Sequence, residues 1–410
     1  MKSFKHRLEL NNEQTTLAFQ HAGVSRHAYN WGVSLCNDIS EKKEKLPSSI
    51  DLHKLLVRDI KSANPWYYEV SKCSPQQALR DLITAWSNYF TKLRKGEIEK
   101  MKKAYIKECT RKGREVNQKK LFAIGKPKFH KKGVNDSFYL EGNIRIKDNK
   151  IKVPIFGWIK MSESYCEGFT VKNVVISRTA NHFFISFKRE RADTEIKGIE
   201  NMPSVGVDLG VKVLATLSDG QTFGNPKAFK KYKRKLAKAQ RVVSRRFNEN
   251  SKKQSNNYKK AKNEVAKIHY KIACVRKDAI HKLTSYLAKN HSEIKIEDLN
   301  IKGMLKNHRL AGAIQDSGFF ECRRQLEYKT KWYGSKVTVI DRFFASSKTC
   351  SCCGHIKEDL TLKDRIFICD LCGLRLDRDL NASININNYS ASSADNACGE
   401  SNKPINVGTL

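Results

Sequence analysis

The apolar positions change period along the chain. Between residues 16 and 125 they recur at helical spacing: Val24, Ala28, Trp31 and Leu35 form one stripe, and Leu79, Leu82, Ile83, Trp86 and Phe90 form another. Pro47, Pro65 and Pro75 punctuate the connections. This predicts a helical region over 16–125. Within it, 94–120 is dominated by Lys, Arg, Glu and other polar residues, and reads as either a solvated helix or a loop. From 126 to 190 the period drops to two. NIRIKDNKIKVPIFGW alternates on both sides of Asp148-Asn149-Lys150, which predicts a hairpin turning there, and FFISF places Phe183, Ile185 and Phe187 on one face. The expected product is a small, strongly twisted antiparallel sheet or barrel, followed by a linker in IKGIENMP. A third region opens at SVGVDLGVKVLATLSDG as two strands, with Gly210 at the bend. Residues 227–291 return to helical period, EIKIEDLN and KVTVIDRFF each read as a strand, and DLNASININN reads as the start of a short helix. After Tyr389 the tail is rich in Ser, Asn and Ala, the composition of a disordered segment. No internal repeat is found.

Charge narrows the partners. The 410 residues hold 78 Lys and Arg against 42 Asp and Glu, a net charge of +36. A surface this positive repels itself unless it meets a polyanion. Nucleic acid fits better than an anionic membrane, because the basic stretches lack an apolar face with Trp or Phe anchors. No apolar run approaches the roughly 18 residues of a membrane span, and MKSFKHRLELNNEQ has no signal-peptide core. Residues 227–262 hold fifteen Lys or Arg and one acid, Glu249. In this stretch Leu236, Val242 and Val243 are available for packing. That leaves Lys230, Lys231, Lys233, Arg234, Lys235, Lys238, Arg241, Arg245 and Arg246 as a track for backbone phosphates. A charge run is often only a solvated face; the near absence of acids favours the track. Gln76, Gln77 and Arg80, near a helix start after Pro75, belong to the residue types that contact base edges, and equally to ordinary helix surface. Tyr29 and Trp31 read as helix packing rather than base stacking.

Two motifs carry chemistry. Cys350 and Cys353 form one C-x2-C pair and Cys369 and Cys372 another, with fifteen residues between them. Four thiolates at this spacing, each pair followed by a glycine (Gly354, Gly373), fit a closed tetrahedral Zn²⁺ site with no open position for catalysis. The other cysteines of the twelve are mostly scattered, which fits a reducing cytoplasm rather than a disulfide framework. Cys352, beside Cys353, blurs the register slightly. The second motif is a set of acids. Asp208 lies inside an apolar strand, VGVDLGV, where a charge is costly unless partnered or bound to metal. Glu297 ends another apolar strand, and Asp379 begins a helix just past the cysteines. Converging, they would hold two Mg²⁺ or Mn²⁺ ions for phosphodiester hydrolysis. Asp298 competes with Glu297 and Asp377 with Asp379, and pattern alone does not choose within either pair.

The order GVDLGVK, IKIEDLN, C-x2-C…C-x2-C and DRDLNASINI resembles the TnpB family of transposon-encoded RNA-guided nucleases, compact relatives of type V CRISPR effectors. FKHRLELNNEQ, YNWGVSL, GKPKFHKK and IKVPIFGWIK are similar to that family too, so the resemblance spans nearly the whole chain. It implies a multidomain α+β fold. A wedge β-barrel (1–15 and 126–195) is interrupted by a helical recognition domain (16–125). An RNase H-like RuvC α/β domain (200–345 and 374–390) follows, with a zinc ribbon inserted at 346–373 and a disordered tail at 391–410. It implies Asp208, Glu297 and Asp379 as the catalytic, magnesium-holding acids and Cys350, Cys353, Cys369 and Cys372 as the zinc ligands. It also implies a guide RNA from the transposon end, double-stranded DNA as target, one protein per RNA, and a cytoplasmic, nucleoid-associated place of action. A catalytically silent RNA-guided DNA-binding regulator and a DNA-joining transposase are the alternatives. The intact acids disfavour the first, and the second would act without a guide.

Overall fold

The structure, a computed structural model, describes residues 2–134, 136–189, 198–251, 253–361 and 364–390. The tail expected to be disordered, 391–410, lies outside them, as does the start of the expected linker. The chain divides into two compact units, residues 1–191 and 192–410. Among the described residues no helix is long and apolar enough to cross a membrane.

The first unit joins a curled sheet to a helical cluster. Strand β1 (Lys2–Glu9) leads into helix α1 (Asn12–Glu41) through a capping box on Asn11 and Gln14. Helices α2 (Ser49–Leu55), α3 (Cys73–Arg94), α4 (Glu97–Arg111) and α5 (Gln118–Phe122) follow. The sheet is completed by β2 (Ser137–Val153), β3 (Gly157–Thr179) and β4 (His182–Arg189), in the order β1-β4-β3-β2. The last two residues of β1 also pair with the beginning of β3, Leu8 with Met161 and Glu9 with Lys160, so the sheet closes back on itself. Phe183, Ile185 and Phe187 point into its core, as their alternation requires, against Ala18 and Ala22 of α1. Further along α1, Val24, Ala28, Tyr29 and Val33 turn to Leu79, Leu82 and Trp86 of α3.

Three expectations are corrected here. The hairpin does not turn at Asp148-Asn149-Lys150; β2 runs straight through these residues and turns at Pro154–Phe156, before Gly157. Core positions on β2 are even-numbered up to Ile146 and odd-numbered from Ile151. That change of parity needs a bulge, and Asp148, with φ of 51°, sits in it. Helix α3 starts at Cys73, so Pro75 lies inside its first turn, where no backbone N–H is missed. Phe90, read as the end of an apolar stripe, is exposed. The open choice over 94–120 divides: α4 is helix, with Ile98 and Cys109 buried, while 112–117 is a non-helical connection to α5.

The second unit is a layered α/β structure. Its strands are β5 (Val205–Leu209), β6 (Val213–Leu217), β7 (Thr222–Gly224), β8 (Glu293–Glu297) and β9 (Lys336–Ile340), ordered β7-β6-β5-β8-β9. Strands β5, β8 and β9 are parallel, while β6 is antiparallel to β5. Between β7 and β8 come α6 (Ala228–Arg246) and α7 (Asn256–Asn290); between β8 and β9 come α8 (Ile301–Met304), α9 (Ala311–Ser317) and α10 (Phe319–Tyr333). Val205, Val207, Ile294 and Ile296 pack on Ile280, Leu283 and Leu287 of α7 and Leu326 of α10. A small hairpin of β10 (Ile366–Ile368) and β11 (Arg375–Asp377) precedes the last helix, α11 (Arg378–Asn388).

Helix α11 covers the other face of β5, and Gly206 makes this possible. A Cβ there would stand 2.1 Å from the Ser383 carbonyl oxygen and 2.4 Å from the Asn387 nitrogen, both backbone atoms of α11. Gly206→Ala is expected to push the helix off the strand and lower stability by about 1–3 kcal/mol, read as a lower denaturation midpoint of the full chain. An unchanged midpoint would show that α11 docks without this close approach.

Candidate active site and metal centre

The docking of α11 determines what meets at the strand ends. The β5–β8 register sets Gly206 beside Lys295 and Val207 beside Ile296, so the next step sets Asp208 beside Glu297. Lys295 Nζ donates to the carbonyls of Asn387 (2.7 Å) and Tyr389 (2.9 Å), which fixes the C-terminus of α11 by Lys295 and its neighbour Gly206, short of the strands' ends. The helix therefore runs antiparallel to β5 and β8, and its first turn, with Asp379, lies at the end that carries Asp208 and Glu297.

The effect is electrostatic as well as geometric. Burial pushes the Asp208 carboxyl up, the charges of Glu297, Asp379 and Asp377 add to it, and Arg378 only partly offsets them; the result is about 7 against an ordinary 3.8. The site thus holds more negative charge than its protein neighbours compensate. The acids are spread wider than the cysteines. Among the described residues, the four cysteines are the group of three or more metal-type side chains whose ligand atoms all lie within 4.8 Å of one another.

Both open pairs of acids now separate by partner. Asp298 is tied to Arg323 at 2.8 Å and to Arg342, which hold its carboxyl below the usual range. Glu297 instead accepts from the buried Ser346 hydroxyl at 2.5 Å. Asp377 is the N-cap of α11: its Oδ1 accepts from the N–H groups of Asp379 (2.9 Å) and Leu380 (3.1 Å). Asp379 is left with Arg378, at 3.2 Å.

Cys350, Cys353, Cys369 and Cys372 close into one cluster, with Cys350–Cys372 and Cys353–Cys369 sulfur distances of 3.6 Å. Four sulfurs each ~2.3 Å from one tetrahedral ion would stand about 3.8 Å apart, so the set fits a metal rather than disulfides. Gly354 and Gly373 take left-handed φ of 76° and 73° and close the two turns on the carbonyls of Cys350 and Cys369. The backbone N–H of Cys372 leads in drawing the Cys369 thiol down to about 6. Cys352 is exposed and lies outside the cluster.

Sequence reasoning missed the seam between this module and α11. Buried Asn381 donates to the Thr349 carbonyl (2.7 Å) and accepts from the Ser351 N–H (3.0 Å). One turn on, Asn385 donates to the carbonyls of Ser346 (2.8 Å) and Thr349 (2.6 Å). The signal was available as two asparagines four residues apart on a helix, but their backbone partners lie thirty or more residues away.

Comparison with known proteins places these features in a lineage. Three family models match: one described as "Probable transposase" over residues 191–308, one as "Cas12f1-like, TNB domain" over 319–386, and one as "Helix-turn-helix domain" over 1–45. A protein of Streptomyces pristinaespiralis named "Putative RNA-guided DNA endonuclease" is 34% identical over 98% of this chain and 92% of its own length. The "Putative RNA-guided DNA endonuclease InsQ" of Escherichia coli K12 is 30% identical over 98% and 94%. The "TnpB-like protein L79" of Acanthamoeba polyphaga mimivirus is 31% identical over 37% of this chain and 29% of its own. The chain belongs to the TnpB family. The match over 191–308 takes in Asp208, Glu297 and basic α6, and the match over 319–386 takes in the four cysteines and Asp379. In this TnpB-family chain, the described part of the 1–45 match carries one strand, Lys2–Glu9, and one long helix, Asn12–Glu41.

The remaining sequence-derived residues sit as follows. Lys230, Lys231, Lys233, Arg234, Lys235, Lys238, Arg241, Arg245 and Arg246 are all exposed along α6, with Leu236 turned inward. On α3, Gln76 and Gln77 are half-buried and Arg80 is exposed; Gln77 already donates to Asp81 at 2.8 Å. Tyr29 is buried and stacks on His130, with ring centroids 3.7 Å apart.

Proposed function

We propose that this chain is an RNA-guided DNA endonuclease with a single nuclease centre built from Asp208, Glu297 and Asp379. One observation carries the reading: side chains from a strand, the end of its parallel neighbour and the first turn of α11 meet where burial, with the charges of Glu297 and Asp379 adding to it, pushes Asp208 to about 7. A half-buried acid cluster without enough cations of its own is the chemistry of a divalent-metal site. The nearly end-to-end likeness to two relatives named for RNA-guided DNA cleavage supports the guide and the substrate.

In this reading residues 1–15 and 126–195 are the wedge, 16–125 the recognition domain, 200–345 and 374–390 an RNase H-like RuvC domain, and 346–373 a zinc ribbon. Asp208, Glu297 and Asp379 hold Mg²⁺ or Mn²⁺. Such ions supply an easily deprotonated water and offset the charge on the leaving oxygen of the phosphodiester. The chain's own residues do the positioning. Lys295 and Asp377 fix the two ends of α11, and Arg323 and Arg342 keep Asp298 out of the ligand set. The α6 cations bind backbone phosphates, while base pairing with the guide reads sequence. Gln76, Gln77 and Arg80 face a short motif beside the target. Both DNA strands pass the one centre in turn, leaving 5′-phosphates. Zinc on the four cysteines shapes the ribbon and takes no part in the chemistry.

The test begins with sequencing the RNA that co-purifies with the protein. One discrete, structured RNA with a variable 3′ segment is expected, and DNA matching that segment should be cut when Mg²⁺ is added. Heterogeneous RNA removed by salt, with no directed cutting, would overturn the reading.

A further inference from the structure

We infer that the basic cavity at the N-terminal end of α6 is a sequence-neutral subsite for single-stranded DNA lying next to the scissile phosphate. The inference rests on the proposed nuclease reading. The cavity measures about 600 Å³ and gathers cations from four separate stretches: Lys212 in the β5–β6 turn, Lys227, Lys230 and Lys233 at the start of α6, Arg309 before α9, and Arg365 before β10. All six are exposed. Six like charges drawn to one concavity repel one another unless an anion sits among them. Among the described residues of the lining the one carboxylate, Asp316, is engaged elsewhere. Its Oδ2 accepts the Phe229 N–H at 2.8 Å and its Oδ1 faces Arg276 at 3.5 Å.

The occupant's chemistry follows from what is left over. Asn225, the amide in the lining, has both ends engaged: Nδ2 donates to the Val211 carbonyl and the Ser317 hydroxyl, and Oδ1 accepts from the Lys227 N–H. Among the described residues of the lining no amide remains to read a base edge, and its lysines and arginines are spent on phosphates, which carry no sequence. Phe229 and Leu310 supply apolar surface on which any base can rest. The cavity therefore recognises phosphate and a stacked ring, and not sequence. Its volume is that of a small-ligand pocket, enough for roughly one or two nucleotides and too small for a duplex.

Its position ties it to the acids. Lys212 follows Asp208 by four residues through one tight turn. The Arg365 carbonyl accepts from the Arg378 N–H at 2.8 Å, and the Arg378 guanidinium meets Asp379 at 3.2 Å. A strand with one phosphate at the acids has its neighbouring phosphates within reach of this rim.

The test is the triple variant Lys212→Ala/Arg309→Ala/Arg365→Ala in the full chain with its guide RNA, beside the unmodified protein. Binding of a short fluorescein-labelled oligothymidylate is followed against salt, with cleavage rate, guide-RNA affinity and melting temperature measured alongside. Three lost phosphate contacts should flatten the log–log salt slope by about 2. Cleavage should slow about tenfold, with guide-RNA affinity and melting temperature unchanged. Wild-type salt slope and cleavage in the variant would overturn the subsite while leaving the nuclease reading standing. Loss of guide-RNA affinity in step with cleavage would also overturn it, by giving the cavity to RNA. If the unmodified protein itself fails to cut, the nuclease reading falls instead. Should the triple variant melt early, Arg309→Ala alone, on an exposed side chain, is held to a proportionate change in slope.

Discussion

Asp208→Asn is expected to abolish DNA cleavage, leave guide-RNA and target binding intact, and stabilise the metal-free protein. Losing one charge that holds the reacting centre costs on the order of a thousandfold or more in rate. The stability gain has the opposite sign because the site is strained when empty of cations. The folded state raises Asp208 from 3.8 to about 7, chiefly through burial, with Glu297 and Asp379 adding repulsion. Its contribution to stability is therefore complete below about 3.8 and is lost as pH rises through about 7. At about 1.4 kcal/mol per pH unit the ceiling is roughly 4 kcal/mol. Without divalent metal, the melting temperature of the unmodified protein should fall between pH 4 and 8 more steeply than that of Asp208→Asn. At pH 8 the variant should melt higher. Adding Mg²⁺ should raise the unmodified protein and move the variant much less. Retained cleavage in the variant would place the chemistry elsewhere, and matching pH profiles would mean that Asp208 is not under the strain described.

Legibility in the sequence followed the range of the interaction. Local alternation was enough for Phe183, Ile185 and Phe187, because a strand's facing depends on its neighbours alone. It failed at Asp148, where Asp-Asn-Lys has turn chemistry but the inward set changes parity instead of the chain reversing. A bulge and a turn use the same residues, and only the partner strand tells them apart. The acids show the same divide. Asp208 and Glu297 stood out as charges in apolar strands. What separates Glu297 from Asp298, and Asp379 from Asp377, could not be read from residue pattern alone, because the distinguishing partners are remote or backbone: Arg323 and Arg342 for Asp298, two helix N–H groups for Asp377. Gly206 was visible as a letter, but its reason, the passage of α11 within van der Waals range, is a tertiary fact.

Cys369→Ser is expected to empty the metal site and, through the asparagine seam, to disable the acids as well. The unmodified protein should carry about one zinc per chain, and the variant far less by elemental analysis. Three remaining thiolates hold zinc weakly, and a module this small has little core to stand on; in the cluster that ties it together, Cys350, Phe367 and Cys369 are the buried residues. The consequence reaches further than the ribbon. Thr349 and Ser351, beside Cys350, supply the backbone groups that Asn381 engages, and the Arg365 carbonyl accepts from Arg378 at the start of α11. When the two C-x2-C turns separate, these partners move. The first turn of α11 then loses the contacts that set Asp379 against Asp208 and Glu297. Cleavage should therefore fall together with zinc content, while the packing of α6 on α7, built without the cysteines, stays. Cys352→Ser is the matched control, because that thiol is exposed and outside the cluster; it should keep both zinc and cleavage. If Cys369→Ser keeps its zinc and its melting temperature, the four sulfurs are a thiol cluster and not a metal site. If it loses zinc but cuts at the normal rate, α11 is held by the strand face alone, through Gly206 and Lys295, and the asparagine seam is dispensable.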